Sequence, residues 1–248
     1  MIEQLLSHRT IRKYTKAPIE EALIDKILEA GCRVSTTGNM QLYSIVVTRD
    51  EEMKKALAPC HFNQPMVNNA PVIMTFCADF NRFTRWCRLN QADPGYDNFL
   101  SFLTAAIDAL LVAQNVVIAS ESEGLGVCYL GTTTYLAAKI IDVLKLPVGV
   151  VPVTTLTIGW PDEHPEQTDR LPMRAIVHQE TYHDFSDEEI TAAYFDKECR
   201  QDNRSYVSEN NKKTLAQVFT DVRYKKSDNV AFSKMLLEVL VNQGFMNQ

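Results

Sequence analysis

The chain has 248 residues, 46% of them hydrophobic and 23% charged, enough to bury one substantial core as a single domain or a domain with an appendage. A formal charge of −6 and a pI near 5.4 argue against a nucleic-acid binder held by phosphate neutralisation and leave only focal anion sites. Six cysteines without a C-x-x-C pair (Cys32, Cys60, Cys77, Cys87, Cys128, Cys199) suit a reducing cytosol, and MIEQLLSHR lacks the basic and apolar regions of a secretory signal, so a cytoplasmic protein is expected.

Residues 1–7 can form a short helix, followed at once by the basic segment His8-Arg9-Thr10-Ile11-Arg12-Lys13-Tyr14. If extended, this segment puts His8, Thr10 and Arg12 on one side and Arg9 on the other; otherwise it is a solvated charge run. Pro18, then Ile19, Leu23, Ile24, Ile27 and Leu28, predict an amphipathic helix ending near Gly31. Ser35-Thr36-Thr37-Gly38-Asn39 is a polar loop before a strand over Leu42–Thr48. Asp50 can cap a helix running to Leu57, Cys60–Pro65 reads as irregular, and Pro71 opens a buried strand over Val72–Ala78. Arg82, Arg85 and Arg88 are expected on a surface turn, and residues 90–98, with Pro94-Gly95, form a loop.

Phe99–Ser122 contains no proline or glycine and is apolar on nearly every helical face, so it predicts the central helix, buried all round. A membrane span is the rival reading, opposed by Asp108, Gln114, Asn115 and Glu121 and by the lack of flanking basic residues. Gly124-Leu125-Gly126 ends that helix, and Tyr129-Leu130-Gly131 brings a small-residue segment to its end. Thr134–Leu144 is amphipathic, Val150–Ile158 is an interior strand, and Met173–Val177 is expected as a last short strand. Beyond Ser186 the chain turns polar, with helices near 187–198, 208–222 and 229–243. Two parts follow: a domain over 1–183, and a helical extension over 184–248 too poor in apolar residues to fold alone, packing on the core or a partner subunit.

Several chemistries lack their local signatures. The five histidines form no H-E-x-x-H pair or cysteine-histidine ligand set, so no metal is expected, and there is no Walker A loop or G-x-S-x-G elbow. Gly124-x-Gly126 follows a helix and lacks a third glycine, so a Rossmann reading fails.

Taken together, HRTIRKY at 8–14, FCADFNR at 76–82, AQNVVIASESEGLGVCYLG at 113–131 and IGWPDEHPEQTDRLP at 158–172 resemble the FMN-dependent nitroreductase family, specifically its oxygen-insensitive NADPH nitroreductase and flavin reductase branch. The likeness covers residues 1 to about 183 well and the remainder loosely. It implies an α+β, nitroreductase-like fold: a central mixed β-sheet flanked by helices around the buried central helix, in a homodimer with flavin at the interface.

The resemblance further implies that His8, Arg9, Thr10 and Arg12 contribute to an FMN site, with Arg9 and Arg170 near the phosphate, where guanidinium forks bind dianionic oxygens well. Gln64 looks like the family's isoalloxazine amide; Ser35, Thr37 and Asn39 are ribityl or ring contacts, and Tyr129, Leu130 and Gly131 lie beside N5. Thr168 departs from the branch, which often has lysine two residues before the late arginine. The implied activity is ping-pong transfer of two electrons from NADPH, with NADH as alternative donor, to small-molecule nitroaromatics, quinones or flavins, the flavin and not a side chain carrying the chemistry. Arg200 and Arg204, with Lys212 and Lys213, either reach a 2′-phosphate or are exposed helix charge. Another flavin reaction on the same scaffold, such as reductive dehalogenation, and a non-catalytic flavin-binding dimer are the alternatives. No nucleic-acid or membrane partner is expected.

Overall fold

The computed structural model describes residues 2–247; Met1 of the expected first helix and Gln248 of the expected extension lie outside them. The elements run α1 (Ile2–Leu6), α2 (Glu21–Gly31), β1 (Tyr43–Thr48), α3 (Glu51–Leu57), α4 (Pro65–Asn69), β2 (Val72–Asp79), α5 (Asn81–Leu89), α6 (Phe99–Ser122), β3 (Gly126–Leu130), α7 (Ala137–Leu144), β4 (Val150–Gly159), α8 (Asp187–Cys199), α9 (Gln201–Glu209), α10 (Leu215–Val218) and α11 (Lys226–Asn242). Contacts divide the chain into one unit ending at Glu166 and resuming at Phe232, and a second over Gln167–Ala231, whereas the reach of the resemblance and the polar composition beyond Ser186 suggest a single boundary at residue 183.

The first unit is built on a four-stranded sheet in the order β1-β2-β4-β3. Every pairing between named strands is antiparallel, and the parallel component of the expected mixed sheet is the bridge from Thr10 to Val127. β2 is buried along its whole length, and its side chains alternate: Val72, Met74 and Phe76 face α2 and α6, while Ile73 faces the cluster of α3, α4 and α7. A third cluster joins Leu42, Phe80, Ala105 and Val151 to Val239, Leu240 and Phe245, so the last residues of the chain complete this unit's core.

The central helix has the bounds its composition predicts, for identifiable reasons. The Asn98 side chain accepts from the Ser101 amide at its start; at its end Leu125 N donates to Ser120 O and Gly124 adopts φ +82°, a left-handed closure suited to glycine. It is long and apolar enough to cross a membrane, yet Ala105, Ala109, Val112, Ala113, Val116 and Val117 are core residues against the sheet and α2. Buried Asp108 accepts from Thr37 N (2.9 Å), Thr37 Oγ1 (3.2 Å) and Leu42 N (3.3 Å), which satisfies a polar group inside an apolar helix. The expectation of burial all round is corrected: Leu100, Leu103, Ile107, Leu110 and Leu111 form a half-exposed apolar stripe at helical spacing.

Other departures are local. Arg82, Arg85 and Arg88 lie on α5 instead of a turn; their three-residue spacing sets them along one helical face. Cys60–Pro65 is not wholly irregular: Ala58–His61 is a 3-10 turn and Pro65 opens α4. In the second unit, Met173–Ala175 is a 3-10 turn, because Ala175 N and Ile176 N bond back to Pro172 O and Met173 O and no strand among the described residues pairs with the segment. The helix expected over 208–222 is broken: α9 ends at Glu209, Asn211 has φ +53°, and Thr214 caps α10. A Ser186–Glu189 capping box starts α8.

Candidate functional site

The basic segment is extended and clamped on both sides. Ile11 N donates to Val127 O (2.9 Å) on β3, while Thr15 N donates to Trp160 O (2.9 Å) and one Glu163 oxygen accepts from Arg12 N (2.6 Å) and Lys13 N (3.0 Å). Gly126 permits the first clamp, since a Cβ there would lie 2.6–2.8 Å from three Ile11 side-chain atoms. Tyr14 anchors the second: its hydroxyl bonds to Ile11 O, Thr157 O and Thr157 Oγ1, and burial pushes its pKa up.

On this frame His8 Nδ1 sits 2.6 Å from Glu121 Oε1 at the end of α6, and Thr10 pairs with Val127. Arg9 is half-buried; Nη1 donates to Ser7 O (3.1 Å), while Nε is buried without a hydrogen-bond partner. A guanidinium cannot shed its proton, so that buried N–H costs about 1–3 kcal/mol until an acceptor reaches it. Because the bridge is parallel, the chain from Arg9 to Arg12 follows β3 toward Leu130 and Gly131. A Cβ on Gly131 would meet nothing within 4 Å, so this end of the strand opens onto free space.

Beyond Gly131, Thr132 Oγ1 lies 2.9 Å from His61 Nδ1 and 3.4 Å from Gln64 Nε2. Phe62 and Asn63, both at φ +54°, reverse the chain between His61 and Gln64. Phe62 stands edge-on to Phe232, which stacks on Tyr135 at 4.5 Å and 5°, an aromatic wall flanking the Thr132 turn. Tyr129 is partly exposed with its hydroxyl 3.3 Å from Gln114 Oε1, and burial pushes its pKa up to about 12. Leu130 is buried.

The structure therefore gathers His8, Arg9, Thr10, Arg12, Tyr129, Leu130 and Gly131 along β3, with Gln64 tied to Thr132 just beyond. Ser35, Thr37 and Asn39 lie elsewhere in the same chain, held through Thr37 by Asp108. Asp108 and Glu121 are about 20 Å apart along α6 at 1.5 Å per residue, so the hydroxyl loop and the His8 end occupy different stretches of the helix. In the second unit, Arg170 Nη1 donates to Thr168 Oγ1 (2.7 Å), Thr168 O and Asp169 O, so the residue replacing the branch's lysine orients the arginine. Arg200 makes a two-pronged pair with Asp202, and Arg204 is exposed on α9. Lys212 pairs with Asp221 at 2.9 Å.

Sequence reasoning missed three contributors. His61 stands only in the irregular Cys60–Pro65 segment and among the histidines without metal-ligand spacing, Asp108 only as an interruption of an apolar run, and Glu163 only as an unassigned member of the 158–172 stretch. Each acts through a partner more than 60 residues away, which spacing does not encode.

A family model described as the Nitroreductase family matches residues 5–160. The chain belongs to the nitroreductase family. It is 35% identical over 193 residues to an oxygen-insensitive NADPH nitroreductase of Salmonella typhimurium, covering 78% of each chain. A crystal structure from Bacteroides fragilis NCTC 9343 is 54% identical with a TM-score of 0.97, covering 99% of this chain and 100% of that one. An NADPH:FMN oxidoreductase from Vibrio harveyi, solved with NAD+, is 30% identical with a TM-score of 0.84, covering 100% and 99%. The α+β nitroreductase-like fold is thereby established for this chain.

Proposed function

We propose that this nitroreductase-family protein is an FMN-dependent oxidoreductase that passes two electrons from NADPH to nitroaromatics, quinones or flavins. The observation that carries the reading is the buried, unpartnered Nε of Arg9 on the segment running beside β3, with open room beside Gly131 where that strand ends. A phosphate supplies the acceptor Arg9 lacks, and a planar ring fits the glycine end beside the Phe62–Phe232–Tyr135 wall. Bound FMN would supply the acceptor and donor of hydride; the chain's residues bind its anionic end, orient its ring and exclude water. Arg12, with its backbone fixed by Glu163, is the cation for the ring's electron-rich side. NADPH as donor follows the names of the relatives, with NADH as the alternative. The free cysteines agree with a cytoplasmic location.

The active form in this reading is a homodimer paired through the apolar stripe of α6, which a second copy would cover. Such pairing would bring Ser35, Thr37 and Asn39 of one chain to the β3 groove of its partner, resolving their distance within one chain.

Purified protein should retain FMN and oxidise NADPH with a nitrofuran or quinone supplied, giving parallel double-reciprocal lines as donor and acceptor are varied. Arg9→Ala should weaken FMN binding at least tenfold while changing turnover of the loaded fraction less. A protein that holds FMN but does not turn over would be a binding module; one that takes up no FMN would overturn the flavin reading.

A further inference from the structure

His61 is fully buried, yet only one of its ring nitrogens has a partner. Nδ1 lies 2.9 Å from Thr132 Oγ1, and Nε2 is buried with none. Burial also pushes the imidazole pKa down to about 4, so the ring is neutral and carries one proton. That proton has two places to sit. On Nε2 it would leave a buried N–H donor unpaired; on Nδ1 it is donated to Thr132, and Nε2 is left only with an unused lone pair. A buried orphaned donor is the rarer and costlier state, so Nδ1 holds the proton.

The consequence falls on Thr132. A hydroxyl has two lone pairs and one hydrogen. Here Oγ1 accepts from His61 Nδ1 at 2.9 Å and from the Gln64 amide at 3.4 Å, which occupies both lone pairs. Its own hydrogen is then directed to a third partner. Thr132 follows Gly131, where the chain faces open space.

We infer that His61 and Gln64 together lock the Thr132 hydroxyl as an obligate hydrogen-bond donor into the ligand space beside Gly131. Thr132 is the contacting residue and His61 its positioning residue. The acceptor it selects is an sp² nitrogen or carbonyl oxygen at the edge of a planar heterocycle, and it discriminates against a donor at that point. This rests on the flavin reading above, in which that heterocycle is the isoalloxazine; a donor at its edge would favour the ring's electron-rich, reduced form.

Two measurements test the inference. The first concerns the ring proton: long-range 1H–15N correlation of His61 in the wild-type protein should show protonated Nδ1 and bare Nε2 near neutral pH; the reverse tautomer overturns the inference without touching the flavin reading. The second uses the FMN-loaded enzyme. Thr132→Val should raise the FMN dissociation constant about five- to tenfold, the loss of one net hydrogen bond, and shift the flavin midpoint potential negative, while Thr132→Ser should restore both. His61→Phe should reproduce the potential shift with Thr132 intact. If His61→Phe does not fold, the Val and Ser pair decides alone. Wild-type affinity and potential in Thr132→Val would overturn the inference while FMN binding stood, whereas a wild-type protein that binds no FMN would sink the flavin reading and leave the tautomer result to judge the donor lock.

Discussion

His61 places an ionisable ring where water does not reach, and this has a consequence for stability. An unfolded chain takes up the imidazole proton near pH 6.5, whereas the folded chain resists it until about pH 4, so between those values the unfolded state binds more protons. The His61 contribution is complete above pH 6.5 and is lost as pH falls toward 4, by up to about 3 kcal/mol at 1.4 kcal/mol per pH unit. Urea unfolding of wild type and His61→Asn over that range should show the gap between them close as the solution is acidified; a gap independent of pH would mean the ring is not held neutral by burial. At this scale the sequence was partly legible. The motifs that carried the family resemblance contained Arg9, Thr10, Arg12, Tyr129, Leu130 and Gly131, but His61 meets Thr132 across 71 positions, and a pairing of that kind has no periodic trace.

Among the elements, α6 was the most legible in its bounds and the least in its surroundings. A largely apolar run free of proline and glycine, with Asn98 before it and Gly124 after it, marks where the helix begins and ends. Which faces are covered depends on the tertiary packing, and in the single chain the face with Leu103, Ile107 and Leu110 is covered only in part. Leu110 is half-exposed, so replacing it opens no cavity in the core, but a charge there would be buried in the proposed pairing. Leu110→Glu should therefore convert the protein to a monomer by sedimentation with a cooperative thermal transition retained, and FMN retention should fall with the dimer. A dimer that survives this change would place the subunit contact elsewhere. The arginines of α5 show the opposite failing: a three-residue spacing that suits one helical face was expected on a surface turn.

Taken whole, the chain's α+β class came from the family resemblance; composition and turn residues located β1, β2 and β4, but not β3 or the strand order, and they placed a strand at Met173–Val177 where there is a 3-10 turn. Inserting β4 between β2 and β3 depends on pairings such as Phe76 with Thr154 and Cys128 with Thr157, which link distant segments whose compositions allow other neighbours. The return of the last residues into the first unit's core was likewise hidden, because the apolar residues responsible, Val239, Leu240 and Phe245, are few and come after a long polar stretch.

The separation of Asp108 from Glu121 along α6, roughly 20 Å at 1.5 Å per residue, gives the proposed pair of subunits a genetic signature. Each groove would draw its arginine from one polypeptide and its hydroxyl loop from the other, so damage to one can be complemented by damage to a different part of its mate. Arg9→Ala and Asp108→Asn chains, each weak in flavin retention alone, should on unfolding and co-refolding assemble mixed pairs in which one groove of two is intact. With random exchange that amounts to about a quarter of wild-type occupancy. A mixture that merely averages its parents would assign both groups to one polypeptide.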